Sequence, residues 1–107
     1  MNTLCKYAAV FLVAVASIAD ADERTKTFLK THCIRCHGPQ KQKADRRFDT
    51  LPARITKLDD LERYQEIVDL LNLGEMPPED ETQPPVAERT AMIAHLTGQL
   101  KTARACL

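Results

Sequence analysis

Two cysteines and a histidine lie within one short stretch of this chain. Cys33, Cys36 and His37 form the pattern C-x-x-C-H, which is typical of covalent haem attachment. In a helical turn the two thiols lie on one side, and His37 falls near that same side. The pattern therefore predicts one haem per chain, bonded to Cys33 and Cys36, with the His37 imidazole as an iron ligand.

A single histidine ligand leaves a second axial position on the haem iron, and Met76 is the strongest candidate for it. Met76 follows Gly74, which is placed to end a helix, and precedes Pro77 and Pro78. Proline restricts the backbone and removes amide donors, so this loop can hold a thioether in a fixed position. Taken alone, Met76 would more simply fill a gap in the core. Together with C-x-x-C-H it is expected to bind the iron.

Other side chains compete less well for the second axial position. Met92 and His95 lie on a predicted helix, where core packing or partial burial is the simpler interpretation. His32 directly precedes the motif and should lie on the His37 side of the ring. We also expect His37 to donate its second ring N–H to a carbonyl, which the sequence does not identify.

Two alternatives use the same residues without haem. Zinc could bind Cys33, Cys36 and His37, with His32 or His95 as a fourth ligand, but tetrahedral zinc sites usually spread their ligand pairs along the chain. A thioredoxin-like redox site needs a βαβ pattern around C-x-x-C, and no such pattern surrounds the two cysteines. Haem attachment is the preferred interpretation.

The composition agrees with one small domain around a cofactor. The chain has 107 residues, and its 15 basic and 15 acidic side chains give a net charge of zero, so we expect no nucleic-acid partner. It contains no Trp, three Phe and two Tyr. Because a domain of this size buries little apolar area by itself, a large flat haem would supply part of the core.

The first residues of the chain predict export. A basic residue, Lys6, precedes the apolar run 8–19, and the A-D-A sequence at 19–21 fits a signal-peptide cleavage site. We therefore expect residues 1–21 to be a cleaved signal peptide and residues 22–107 to be the mature domain, in the periplasm or otherwise exported. A membrane span needs about 20 apolar residues, which makes an uncleaved anchor the weaker alternative.

The elements that position these side chains are predicted to be helices. The first runs from about Asp22 to the C-x-x-C-H motif. The second begins at Asp59, whose side chain can cap it together with Glu62, and it ends before Gly74. The third covers about residues 86–104 and follows two prolines. No stretch has a convincing strand pattern, so the predicted fold class is all-α with long loops.

Three stretches of the chain resemble a known family. Residues from Phe28 to Leu100 look like the small cytochrome c domain typical of planctomycete-type multidomain proteins. The similar stretches are FLKTHCIRCHGPQKQK (Phe28–Lys43), RFDTL (Arg47–Leu51) and NLGEMPPE (Asn72–Glu79). The resemblance implies a class I-like cytochrome c fold, with about three main helices wrapped around one covalent haem. It also implies that Met76 faces the haem and that Arg47, of the R-x-D segment, binds the haem propionates.

The chain departs from the family pattern at three places. Ala44 and Asp45 stand where the family usually has two glycines, so we expect that turn to differ, because non-glycine residues rarely adopt positive φ angles. Tyr64 replaces a Trp of the second helix and keeps an aromatic wall and a hydroxyl at the haem. His95 replaces a Trp of the third helix, which predicts an altered helix contact rather than loss of haem.

These features predict an electron carrier rather than an enzyme. We expect a monomer that exchanges single electrons with redox partner proteins, using His37 and Met76 as axial ligands. Family domains are often fused to larger partners. Because this chain ends soon after the third predicted helix, we expect any partner to act in trans. The alternative function is a haem-based sensor in which CO or NO displaces Met76. After removal of the signal peptide, Cys106 would be the odd cysteine, either free or paired with another chain.

Overall fold

The computed structural model describes residues 15–107, with side-chain burial from residue 20 onward, and contains three helices. They are α1 (Val15–His32), α2 (Leu58–Leu73) and α3 (Val86–Cys106), with a short 3-10 turn at Lys43–Asp45. In this part of the chain no β-strand forms, and a single bridge pair joins His37 and Gln42. The all-α prediction is confirmed.

The first helix begins before the predicted cleavage site and runs through it without a break. Residues 1–14, which include most of the predicted signal peptide, lie outside the described residues, so its cleavage stays a prediction. No helix within residues 15–107 is long and apolar enough to cross a membrane.

The C-terminus of α2 agrees with the sequence-based expectation, but its N-terminus does not. At its C-terminus Gly74 adopts φ 69°, and its N–H donates to the Leu70 and Leu71 carbonyls, as predicted for a helix-ending glycine. At its N-terminus the predicted Asp59 cap is wrong. The helix begins at Leu58, with Lys57, two positions before Asp59, in the capping position and no side-chain hydrogen bond. Asp59 lies instead in the first turn, where its negative charge interacts favourably with the positive end of the helix dipole.

The third helix follows Pro85, whose missing N–H costs little at a helix start, and it extends slightly beyond its predicted end. Leu96 and Leu100 are buried, whereas Gly98 is exposed and has open space where a Cβ would lie. Cys106 is disulfide-bonded, so it is not the free thiol that we considered.

One apolar core lies between the helices. α2 packs along α3, and α1 also contacts α3. The core residues come from the three helices and from the loop between α1 and α2; they are Phe28, Leu29, Phe48, Leu51, Tyr64, Ile67, Val68, Leu71, Met92, Leu96 and Leu100. The expectation that Met92 is a core residue is confirmed. Because Phe48 belongs to this core, the long loop after the C-x-x-C-H motif is anchored against the helices.

Candidate functional site

The C-x-x-C-H motif forms a compact turn directly after α1. The Cys33 N–H donates to the Leu29 carbonyl (2.9 Å), which continues the helical pattern into the motif. The N–H groups of Cys36 and His37 both donate to the Cys33 carbonyl, at 3.2 and 3.0 Å. Backbone hydrogen bonds between near neighbours therefore set the relative positions of the two thiols and the imidazole. We call residues 33–38 the cysteine turn.

Gly38 closes the cysteine turn against its own backbone. A Cβ at this position would lie 2.4 Å from the Ile34 carbonyl oxygen and 2.8 Å from Ile34 Cγ2. Both distances are far shorter than a carbon atom tolerates, so a side chain at position 38 would force the turn to open. The glycine that follows C-x-x-C-H is thus a steric requirement of this turn.

The His37 ring is oriented by a backbone carbonyl. Its Nδ1 lies 3.0 Å from the Lys43 oxygen, and since a carbonyl only accepts, Nδ1 carries the hydrogen and donates. This arrangement confirms the expected carbonyl contact and identifies its partner. It leaves the lone pair on Nε2, the atom that would bind a metal. The Phe48 ring packs 5.1 Å from the His37 ring, and the Phe48 N–H donates to the His37 carbonyl at 2.7 Å.

The residues that replace the family's two glycines still adopt the conformation that glycine favours. Ala44 has φ 54° and Asp45 has φ 57°, both in the left-handed region. The Lys43 carbonyl that orients His37 immediately precedes this pair. The absence of glycine has therefore not prevented a left-handed turn, although each non-glycine residue there is strained by about 1–2 kcal/mol.

Met76 lies in a loop that begins where α2 ends. The N–H groups of Glu75 and Met76 donate to the Leu70 carbonyl at 3.0 and 3.4 Å, so the loop folds back onto the last turn of the helix. Met76 is half-buried, Pro77 is buried, and the peptide bond between them is cis. We call residues 74–82 the methionine loop.

One cavity collects the predicted haem ligands from the cysteine turn and the methionine loop. Its volume is about 380 Å³, within the about 300–1,000 Å³ typical of cofactor pockets. Cys33, Cys36, His37 and Met76 all line it. Its other walls are mainly apolar and include Phe28, Phe48, Ile67, Leu70, Leu71, Pro77 and Pro78. The fold thus brings together four side chains that the sequence places in two distant segments.

The charged side chains of the cavity wall form ion pairs. Arg35 Nη1 lies 3.1 Å from Glu81 Oε2, which joins the cysteine turn to the methionine loop. Arg46 Nε lies 2.8 Å from Glu66 Oε2 and so joins the loop after the motif to α2. Since both arginines are largely exposed, each pair contributes little to stability, but each supplies a cation next to the cavity.

The two thiols of the cysteine turn are free. Neither Cys33 nor Cys36 is in a disulfide, and burial raises the pKa of the Cys33 thiol to about 12. Zinc binding and thiol–disulfide exchange both require a thiolate, which such burial disfavours. Within residues 15–107 no three His, Cys, Asp or Glu side chains are grouped to hold a metal ion.

Two residues predicted to contact haem do not line this cavity. Arg47 pairs with Asp49, its Nε 2.8 Å from Oδ1, and this guanidinium lowers the pKa of the Asp49 carboxyl. Tyr64 is fully buried in the core, where its hydroxyl donates to the Pro52 carbonyl at 2.6 Å. Their roles at a haem stay predictions. Arg46, which sequence reasoning passed over in favour of its neighbour, is the arginine of this segment that lines the cavity.

The histidines that competed for iron binding have other neighbours. His32 lines the cavity, packs on Phe28 with ring centres 4.8 Å apart, and places Nε2 3.1 Å from Glu88 Oε1. His95 is half-buried on α3, away from the cavity lining, with no hydrogen-bond partner for Nε2. Burial lowers the pKa of His95, and the nearby Arg24 lowers it further.

The donor set on this cavity fits a covalently attached haem. The two free thiols can form thioethers, the oriented imidazole offers Nε2, and the Met76 thioether comes from the other loop. Apolar walls suit the porphyrin faces, and Arg46 suits a propionate. The fit rests on residues of the cysteine turn and the methionine loop together.

Comparison with known proteins agrees with this chemistry. The family model described as Planctomycete cytochrome C matches residues 33–80, a segment that contains the cysteine turn, α2 and Met76. Searches of curated proteins and of solved structures found no match. The resemblance predicted from the three sequence stretches is thereby confirmed. The match supports a planctomycete-type cytochrome c domain in this segment, and the three helices of residues 15–107 agree with a small all-α cytochrome c-like fold.

Proposed function

We propose that this chain is an exported monohaem c-type cytochrome that transfers single electrons between redox partner proteins. Cys33 and Cys36 would hold the haem through thioethers, and His37 and Met76 would be its axial ligands. When bound, the haem supplies a one-electron Fe(III)/Fe(II) couple. The chain itself binds, orients and insulates this group, and it makes or breaks no substrate bond.

The observation that carries the proposal is the shared cavity. Cys33, Cys36 and His37 come from the turn after α1, and Met76 comes from the loop after α2, yet all four line one space. The C-x-x-C-H pattern alone is compatible with an open iron site. A thioether in the same cavity favours a closed site, which suits electron transfer better than chemistry at the iron.

The protein groups tune this site in three ways. The hydrogen bond from His37 Nδ1 to the Lys43 carbonyl fixes the tautomer and makes Nε2 a better electron donor. A Met76 thioether on the iron would favour the ferrous state and would raise the reduction potential relative to two histidine ligands. The apolar walls would exclude water, and Arg46, which lines the cavity, is a candidate propionate partner besides the predicted Arg47.

Haem attachment is tested by exporting the chain in a host that matures c-type cytochromes. We expect one haem per chain by mass, retained under denaturing conditions, together with removal of residues 1–21 from the mature protein. The variant Cys33→Ala/Cys36→Ala should carry no covalent haem. Zinc instead of haem in the purified protein would contradict the proposal.

The axial ligand is tested by two matched substitutions, Met76→Leu and Met92→Leu. Each removes one thioether, but Met92 is buried in the core and does not line the cavity. We expect Met76→Leu to abolish the weak long-wavelength band of an Fe(III)–methionine bond and to lower the reduction potential, while Met92→Leu changes neither. An unchanged band in Met76→Leu would exclude Met76 as the ligand.

The haem-based sensor is distinguished from the carrier by CO binding. A carrier keeps Met76 on the iron, so CO should bind the native ferrous protein slowly. A sensor releases Met76 readily, so rapid CO binding without denaturant would favour that function instead.

A further inference from the structure

We propose that Arg89 and Gln83 form a clamp that positions Met76 on the iron, an inference that rests on the proposed Met76 ligation. Neither side chain lines the cavity. Both bind the backbone of the methionine loop from outside. They are therefore positioning residues, which act on the iron through the loop that carries its ligand.

The methionine loop needs donors that its own backbone does not supply. Pro77 and Pro78 have no N–H group, so this stretch offers carbonyl acceptors and few donors. One backbone hydrogen bond crosses the loop, from the Glu81 N–H to the Pro78 carbonyl at 2.9 Å. The carbonyls of Met76 and Pro77 require donors from elsewhere, because buried carbonyls are costly to leave unpaired.

Arg89 supplies donors from α3. Its Nη1 lies 3.0 Å from the Met76 carbonyl and 3.3 Å from the Leu71 carbonyl. One guanidinium thus joins the end of α2 to the residue proposed as iron ligand. The last turn of α2 contains no basic residue of its own, so Arg89 also places a positive charge at the negative end of that helix.

Gln83 holds the two residues that follow Met76. Its side-chain nitrogen lies 3.0 Å from the Pro77 carbonyl and 2.8 Å from the Pro78 carbonyl. Its side-chain oxygen accepts a hydrogen bond from Arg89 Nη2 at 2.6 Å. The two side chains therefore act as one connected unit, and the bonds from the guanidinium are charge-assisted.

The clamp ties the position of Met76 to the packing of α3 on α2. Met76 is held through its N–H by the Leu70 carbonyl and through its carbonyl by Arg89. Because both the N–H and the carbonyl of Met76 are hydrogen-bonded, its backbone is fixed, and the thioether side chain starts from a constant position relative to the cavity. Without the clamp, the carbonyls would turn toward water and the loop would open more often.

The test compares Arg89→Leu and Gln83→Ala with the control Arg104→Leu, all as holoproteins. Arg104 also joins α3 to α2, through a hydrogen bond to Gln65, but it contacts no part of the methionine loop. Three measurements apply to each variant: the Fe(III)–methionine band, the rate of CO binding to the ferrous protein, and amide hydrogen exchange of residues 75–81.

We expect Arg89→Leu to raise the population of the open loop by about tenfold to a hundredfold, since it removes several charge-assisted hydrogen bonds. CO binding and loop exchange should accelerate by the same factor, and the Fe(III)–methionine band should weaken. Gln83→Ala should have a smaller effect of up to about tenfold, and Arg89→Lys should be intermediate because an ammonium lacks the fork of the guanidinium. Arg104→Leu should match the wild type.

An Arg89→Leu protein that loses global stability but keeps the wild-type band, CO rate and loop exchange would overturn the clamp. If Arg89→Leu does not fold, the exposed Gln83 decides, and unchanged values in Gln83→Ala would overturn it equally. Failure of the proposed ligation looks different, because the wild type itself would then lack the Fe(III)–methionine band. In that case loop exchange alone supports or refutes the hold of Arg89 and Gln83 on the loop.

Discussion

The cysteine turn and the methionine loop line the same cavity, but different interactions hold them in place. The cysteine turn is stabilised by backbone hydrogen bonds within and just before residues 33–38, and by the bond from His37 to the Lys43 carbonyl. The methionine loop has backbone bonds to the last turn of α2, but the carbonyls of Met76, Pro77 and Pro78 are also held by the side chains of Gln83 and Arg89, and Arg89 belongs to α3.

The difference shows that the two axial ligands depend on different parts of the fold. Near neighbours in sequence build the histidine side of the site, so it should form wherever that stretch can fold into a turn. The methionine side requires α3 to be packed on α2, because Arg89 reaches the loop only from there. Changes in helix packing should therefore disturb Met76 before they disturb His37.

The largest expected effect comes from Phe48→Ala, which removes the aromatic ring next to His37. Phe48 is 7% exposed and belongs to the core, so its truncation should lower the free energy of unfolding by about 3–5 kcal/mol. Denaturant unfolding of the holoprotein measures this loss, with Phe48→Leu as a milder control. Hydrogen exchange should rise most in the cysteine turn. If hydrogen exchange rose mainly in the methionine loop instead, the two segments would not depend on different parts of the fold as we infer.

A smaller loss is expected for Gly38→Ala, because the added Cβ would lie 2.4 Å from the Ile34 carbonyl oxygen. Opening of the turn should cost about 1–3 kcal/mol and reduce the yield of attached haem. Gly98→Ala is the matched control, since it adds the same methyl in open space on α3 and should stabilise the protein by about 0.5–1 kcal/mol. Equal behaviour of the two variants would contradict the steric role of Gly38.

Ala44→Gly should increase stability, although it removes a methyl group. Ala44 has φ 54°, so glycine relieves left-handed strain and the net gain should be about 0.5–1 kcal/mol. Ala94→Gly, at an exposed site within α3, should instead lose about 1 kcal/mol. Thermal unfolding of both variants would show whether each one gains or loses stability relative to the wild type. A loss in Ala44→Gly would show that position 44 does not need the left-handed conformation.

Arg35→Gln tests the ion pair that links the two segments. The Arg35 side chain is 80% exposed, so loss of its pair with Glu81 should cost at most about 1 kcal/mol and less at high salt. Unfolding at low and high ionic strength measures this difference. A large loss that is insensitive to salt would mean that this pair, rather than Arg89 and Gln83, determines the position of the methionine loop.

The smallest effect concerns His95, which lies on α3, outside both segments. Burial lowers its pKa in the folded state, so the unfolded chain binds a proton more readily as the pH falls below about 6.5. The folded state should lose stability over that range. His95→Gln should lose less stability there, which unfolding at several pH values would show. An identical pH dependence of unfolding in the wild type and in His95→Gln would refute this assignment. As the pH falls, protection from hydrogen exchange should decrease equally in the cysteine turn and in the methionine loop.

The sequence by itself determined the parts of this protein that depend on near neighbours. These include the cysteine turn, the end of α2 at Gly74, the start of α3 after Pro85 and the all-α fold. Each follows from hydrogen bonds or dihedral preferences that span only a few residues. The exception was the start of α2, because Lys57 caps it without a side-chain bond and thus leaves no recognisable signal.

The tertiary structure decided which distant side chains meet, although the sequence predicted one such pair, His37 and Met76. It placed Met76 on the same cavity as His37, and it put Arg46 rather than the adjacent Arg47 in the wall. The sequence cannot distinguish two neighbouring arginines of one loop, because they are the same residue type. The path of the backbone after the left-handed turn directs only one of them to the cavity. The hold of Arg89 on the methionine loop also depends on helix packing, since contacts between distant segments form only when the core does.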